Sequence, residues 1–254
     1  YLFYVSNNYI INYWTFSQAH INYSEGFVKR GLFGTIALFL ENRFNIKFVS
    51  TFNIFFILIY LTNILIFFAI IKKYSHFKFL FLFFALSPVL ILFSFNDLGG
   101  YQRFDVISIF LILFHTYLIN LYRSKKISFS NYKIKFLLII LPLMFISIFI
   151  HEIQCWSIPF HFFMIKLIYD ENNIKYKNLF IFFSPLLLAS IVIFLYPISE
   201  QTIYSMIEQL NERNLWTDAI TVASRSQGNF NVISYEIKTN LLNFNNLKIN
   251  LFFL

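Results

Sequence analysis

Residues 51–71 read TFNIFFILIYLTNILIFFAII, with no charge in 21 positions. As a helix rising 1.5 Å per residue, this stretch is about 30 Å long, the thickness of a bilayer's hydrocarbon core. Such a run fixes the solvent before it fixes the fold. In lipid every backbone N–H and C=O must be satisfied within the protein, which leaves helices as the economical way across. The rest of the chain agrees. Its 254 residues are 58% hydrophobic and 13% charged, about half the roughly 25% charge of a soluble domain. The expected fold class is an all-α polytopic membrane protein.

Further uncharged runs suggest about six transmembrane helices: 51–71, 79–95, 106–122, 136–150, 153–165 and 179–196. The fourth and fifth flank His151–Glu152 and are short of the roughly 20 residues a span needs. They are read as a hairpin, because a single helix over 136–165 would reach about 45 Å and overshoot the core. The chain then divides into a first loop with an interfacial helix (1–50), a helical bundle (51–197), a helical cap (198–247) and the start of a further span (248–254). Tyr1 and the terminal KINLFFL read as the cut ends of a longer protein.

Charge assigns the sides. Loops 72–78 (KKYSHFK) and 123–135 (RSKKISFSNYKIK) carry only basic charge, and 166–178 is net basic, whereas 96–105 (NDLGGYQRFD) is net acidic. By the positive-inside rule the Lys-rich loops face the cytoplasm. The first loop, the Asp loop, the HisGlu turn and the tail then lie on the extracytoplasmic side. The net charge of +8 is thus a topology signal, and nucleic acid is not an expected partner. The 37 Phe fit an AT-rich coding sequence and are not read as a binding device. The single Cys155 excludes an internal disulfide and a Cys-based metal site.

On that expected outer side four segments bring charge together: Glu25, Lys29 and Arg30; Asp97, Gln102, Arg103 and Asp105; His151 and Glu152; and the tail, with the helical pattern Ile203, Ile207, Leu210 and Leu215. Ionisable groups near the membrane surface are costly unless paired or used. Residues 24–40, SEGFVKRGLFGTIALFL, are expected to form one interfacial helix capped by Ser24, with Gly31 and Gly34 admitting a neighbouring helix or a lipid tail. Lys29 and Arg30 read either as unspecific lipid-phosphate binders or as a specific phosphate clamp. The Asp97–Arg103–Asp105 group reads either as a salt-bridged turn or as a general base beside a phosphate-gripping arginine. HEIQCW fails the H-E-x-x-H zinc pattern, because Cys155 stands where the second His belongs. His115, inside a span, is expected to be a hydrogen-bonder between helices.

With these residues in view, the string EGFVKRGLFG and the pattern of outer charged groups, short helices and an outer cap resemble the C-type (membrane-embedded) glycosyltransferase superfamily and the O-antigen polymerase-like proteins of bacterial polysaccharide assembly. The resemblance implies an enzyme of the bacterial inner (plasma) membrane, in contact with membrane lipid, that transfers a sugar from a polyprenyl-phosphate-linked donor to a glycan or glycolipid acceptor. Lys29, Arg30, Gln102 and Arg103 would hold the phosphate. Asp97 or Asp105, or else Glu25, would take the acceptor's proton. His151 would serve the leaving phosphate, oriented by Glu152. A divalent cation (Mg2+ or Mn2+) is compatible with this chemistry and not demanded by it. The superfamily often carries an acidic pair early in its first loop, where this chain offers only Glu25. A lipid or small-solute transporter or flippase, and a non-catalytic membrane subunit, are the rival readings.

Overall fold

The computed structural model describes residues 13–72, 102–172, 179–196 and 198–220. The expected span 79–95, Asp97, the Gly99–Gly100 turn and the tail beyond Ile220 lie outside the described residues. What is described is all-helical, with no strand. In chain order the helices are α1 (Tyr13–Ala19), α2 (Gly31–Phe44), α3 (Phe48–Ile71), α4 (Val106–Arg123), α5 (Phe129–Ile150), α6 (Ile158–Glu171), α7 (Leu179–Leu195) and α8 (Glu200–Glu212), with a 3-10 turn over Glu152–Ser157 between α5 and α6.

Three of these, α3, α4 and α5, are long and apolar enough to cross a membrane; the bent pair α7–α8 would make a fourth. Six spans are therefore more than the described residues supply. Apart from the run 79–95, which lies outside them, two of the expected spans differ in length. The run 136–150 belongs to a longer helix that starts at Phe129, where the Ser128 hydroxyl accepts the Asn131 N–H at 3.2 Å. Tyr132 is buried on that added turn, and Lys133 and Lys135 extend their stems from a helix rather than a loop. Conversely, α6 has 14 residues, about 21 Å of helix, too short for a span. α5 also carries a π turn at Phe136–Ile140, just ahead of Pro142. Proline cannot donate to the carbonyl four residues back, and the wider turn accommodates it.

Packing gives each helix a direction. The Phe104 ring beside α4's start lies 5.4 Å from Phe56 near the start of α3, and Phe67 and Ile70 border one cavity with Asn120 and Arg123. α3 and α4 thus run the same way. At the far end, Tyr132 sits 5.8 Å from Tyr122, the Tyr122 hydroxyl donates to Asn172 Oδ1 at 2.8 Å, and Arg123 pairs with Glu171. At the near end Gln154 Nε2 donates to the Phe104 carbonyl at 2.9 Å. α5 therefore ascends to the Glu152 end and α6 descends from it, so the chain reverses through His151–Ser157. α7 ascends again, from Phe183 beside Phe136 (5.9 Å) to Tyr196 beside Phe27 (5.3 Å). Lys72, Arg123, Lys125, Lys126, Lys133, Lys135 and Lys166 all fall at or towards the Arg123 end.

The core is a stripe from each helix. On α3 it is Phe48, Phe52, Phe56, Tyr60, Asn63, Phe67 and Ile70, spaced three or four residues apart. The outward faces are as apolar as the core, with Leu58, Leu65, Phe68, Leu138, Phe163 and Ile181 all exposed. That is a surface for lipid, not water. Where α4, α5 and α6 meet, His115 Nδ1 and His161 Nδ1 lie 2.9 Å apart, and His115 Nε2 lies 2.8 Å from the Tyr132 hydroxyl. His115 is the interhelical hydrogen-bonder expected of it.

The interfacial helix expected over 24–40 begins seven residues later. Gly26 adopts φ 134°, a conformation open to glycine that no helix continues. Residues 20–30 instead form a partly buried loop, which the Thr202 hydroxyl holds by donating to the Glu25 carbonyl at 2.9 Å. Ser24 caps nothing: its hydroxyl accepts from Gln209 at 3.1 Å. What approaches the glycines is this loop, not another helix or a lipid. A Cβ on Gly34 would lie 2.1 Å from the Ile21 carbonyl oxygen, and one on Gly31 would lie 2.2 Å from the Tyr23 ring. Gly34→Ala is expected to cost about 3 kcal/mol or more, since backbone cannot yield as a side chain does. The check is the thermal unfolding midpoint in detergent, alongside Ala37→Gly as a substitution that removes bulk.

Candidate functional site

The loop that precedes α2 carries Lys29 and Arg30 into the protein. Val28 and Lys29 are buried, and Arg30 takes a left-handed backbone, φ 68°, a conformation that costs a non-glycine residue roughly 1 kcal/mol. The turn aims its guanidinium at the start of the 3-10 segment. There Nε donates to Glu152 Oε2 at 2.6 Å and Nη2 donates to Oε1, a two-pronged pairing. Lys29 Nζ stands 3.8 Å from the same Oε1. Residues 122 positions apart in the chain thus form one buried ionic group, the kind of planar fork that suits arginine and not lysine.

His151 stands beside it, Nδ1 at 3.8 Å from Glu152 Oε2. This is not an ion pair, because the imidazole is neutral. Burial pushes its pKa down from an ordinary 6.5 to about 4, Arg30 adds to the effect, and Glu152 and Asp105 offset part of it. Nδ1 accepts the Ile153 N–H at 3.3 Å, so the single proton resides on Nε2, which remains a donor. For Glu152, burial would raise the pKa. The hydrogen bonds and charge of Arg30, with smaller help from His151 and Lys29, override it and hold the carboxyl well below the usual range. The carboxylate stays ionised at any physiological pH.

The Asp loop meets the same place. Arg103 Nη2 pairs with Asp105 Oδ2 at 2.7 Å, partly in the open, and the Phe104 ring between them lies 6.0 Å from the His151 ring. Gln102 is buried, its amide 3.5 Å from Asn53 Oδ1; it serves as a strut to α3. Gln154 is a second strut, which the sequence reading passed over. Its amide donates to the Phe104 carbonyl and its oxygen accepts from the Ser108 hydroxyl, so it ties the HisGlu turn to the Asp loop. The signal was present as an uncharged polar residue inside HEIQCW, between two apolar runs.

Of the residues expected to act, Lys29, Arg30, Arg103, Asp105, His151 and Glu152 gather at this end of the bundle. Glu25 does not join them: it is exposed on the loop, held through its backbone against α8. Asp97 lies outside the described residues. Among the described residues no three His, Cys, Asp or Glu side chains form a group that would hold a metal ion.

α8 completes this end. Its buried side is Thr202, Met206 and Leu210, packed with Ile21, Val28 and Ile220, one position round from the expected Ile203–Ile207 stripe, because the loop rather than a flat membrane face receives it. No family model matches this chain, and neither a curated protein nor a solved structure does.

Proposed function

We propose that this chain is an integral-membrane glycosyltransferase of the bacterial plasma membrane. It moves a sugar from a polyprenyl-phosphate-linked donor to a hydroxyl of a glycan or glycolipid. The observation that carries the reading is the meeting of Lys29–Arg30, Arg103–Asp105 and His151–Glu152, from three distant segments, at one end of a lipid-exposed bundle. The opposite end holds the basic loops, so the site faces away from the cytoplasm.

In the reaction the bond between the sugar's anomeric carbon and the phosphate oxygen breaks, and a bond to the acceptor oxygen forms on the opposite face. Asp105 takes the acceptor's proton. The phosphate leaves with its negative charge, met by the Nε2–H of His151 and by the positive field of Lys29 and Arg30. Glu152 fixes Arg30 and keeps it in place as charge develops. The Asp105–Arg103 pair is accessible enough to exchange its partner for a substrate.

His151→Asn and Asp105→Asn test this without breaking the Arg30–Glu152 pair. In membrane vesicles supplied with a radiolabelled polyprenyl-phosphate sugar, each is expected to lower transfer about 100-fold or more, with unchanged thermal stability for Asp105→Asn. Undiminished transfer in both variants, or no transfer by the unaltered protein, overturns the reading.

A further inference from the structure

We infer a second binding site, between the loop at residues 20–24, the C-terminal half of α2 and α8, that takes a neutral, hydroxyl-rich ligand of the size of one saccharide ring. The cavity there is about 240 Å3, slightly below the roughly 300–1,000 Å3 of drug-sized pockets. Its wall includes His20, Asn22, Ser24, Asn42, Gln209 and Glu212. It is distinct from the Arg30 cluster: Asn42 lies twelve positions beyond Arg30 along α2, about 18 Å of helix.

His20 gives the site its chemistry. Its Nδ1 lies 2.9 Å from the Phe16 carbonyl, which can only accept, so Nδ1 carries the proton and Nε2 is a bare acceptor. The ring is 5% exposed, stacked on Phe48 at 3.5 Å, and borders both this cavity and a neighbouring one of about 410 Å3. Among the described residues Nε2 has no hydrogen-bond partner. The ring borders the cavity, and a hydroxyl O–H entering there is the complement of a bare acceptor.

The rest of the wall selects against anions. Arg213 is paired with Glu41 at 3.0 Å, which leaves Glu212 as the unbalanced charge beside the cavity. Asn22 and Gln209 are already joined, Asn22 Nδ2 to Gln209 Oε1 at 3.1 Å, and form a rigid polar floor. Asn42 and Glu212 are exposed where they border the cavity. The amide and the carboxylate can each engage sugar hydroxyls, while Leu38 and Met206 offer an apolar wall for the ring's C–H face. Burial holds His20 at about 4, so the acceptor stays unprotonated across the working range.

The test uses the full chain in lipid nanodiscs on an array of bacterial surface oligosaccharides, both neutral and charged. Binding to at least one neutral glycan is expected. It should weaken at least 10-fold in Asn42→Ala, an exposed position whose loss leaves the fold intact, and in His20→Phe, which keeps the stack on Phe48. The inference is overturned if no neutral glycan binds, if only charged glycans bind, or if Asn42→Ala binds as the unaltered protein does. The outcome is separable from the transferase reading. His151→Asn is expected to abolish transfer and leave array binding unchanged, and glycan binding by a protein with no transfer activity would sink the one proposal and sustain the other.

Discussion

Glu152→Ala is expected to destabilise the protein by about 3–5 kcal/mol, the range seen when one member of a buried ion pair is removed. Arg30 and Glu152 are each about nine-tenths buried, and Lys29 is more so. Without the carboxylate two buried cations lose their shared counter-charge, and the left-handed turn at Arg30 loses the contact that rewards it. Arg30→Lys should recover only a small part of the loss seen in Arg30→Ala, because an ammonium cannot reproduce the fork. The Glu41–Arg213 pair is the internal control. Its side chains are 29% and 41% exposed, and Arg213→Ala, which leaves the Glu41 bond to the Phe48 N–H in place, should cost below about 1 kcal/mol. Denaturant or thermal unfolding in detergent, with a double-mutant cycle on Arg30 and Glu152, measures all of these. A cost under about 1 kcal/mol for Glu152→Ala would mean that the pair does not lock the first loop to the bundle.

Acidification is the second large effect. His20 and His151 are held down to about 4 from 6.5, chiefly by burial. Between those values the unfolded chain binds protons that the folded one refuses, so stability falls as pH drops from about 6.5 towards 4. Glu152, depressed by Arg30, has the same sign and acts at still lower pH. At pH 5 the penalty is about 2 kcal/mol for each histidine, about 4 kcal/mol for the two. The unfolding midpoint should therefore be flat above pH 7 and decline steeply to pH 5. His20→Gln with His151→Gln should make that decline shallower by about 4 kcal/mol at pH 5, whatever it does to the stability at pH 7. A slope unchanged in the double variant would assign the acid sensitivity elsewhere.

The first effect arises from contacts whose members, though not their meeting, were legible in the sequence. Lys29, Arg30, His151 and Glu152 could be picked out because charge is scarce in this chain. Their pairing could not, since loop closure over 122 positions leaves no local pattern. The glycines at 31 and 34 signalled close approach, yet the partner was their own preceding loop. His20, Asn22 and Gln209 escaped notice because polar residues in a first loop and an amphipathic tail look like an ordinary solvated surface.

The sequence by itself determined the class of fold, because runs of about 20 uncharged apolar residues have a helix as their economical solution in lipid. It also determined which ends of the helices are basic. Only the tertiary structure decided where α2 and α5 begin, that α6 turns back without reaching a span's length, and which carboxylate faces which cation. Periodicity and composition are local properties of a chain, whereas burial, ion pairing and the tautomer of a histidine are set by atoms that folding brings from elsewhere.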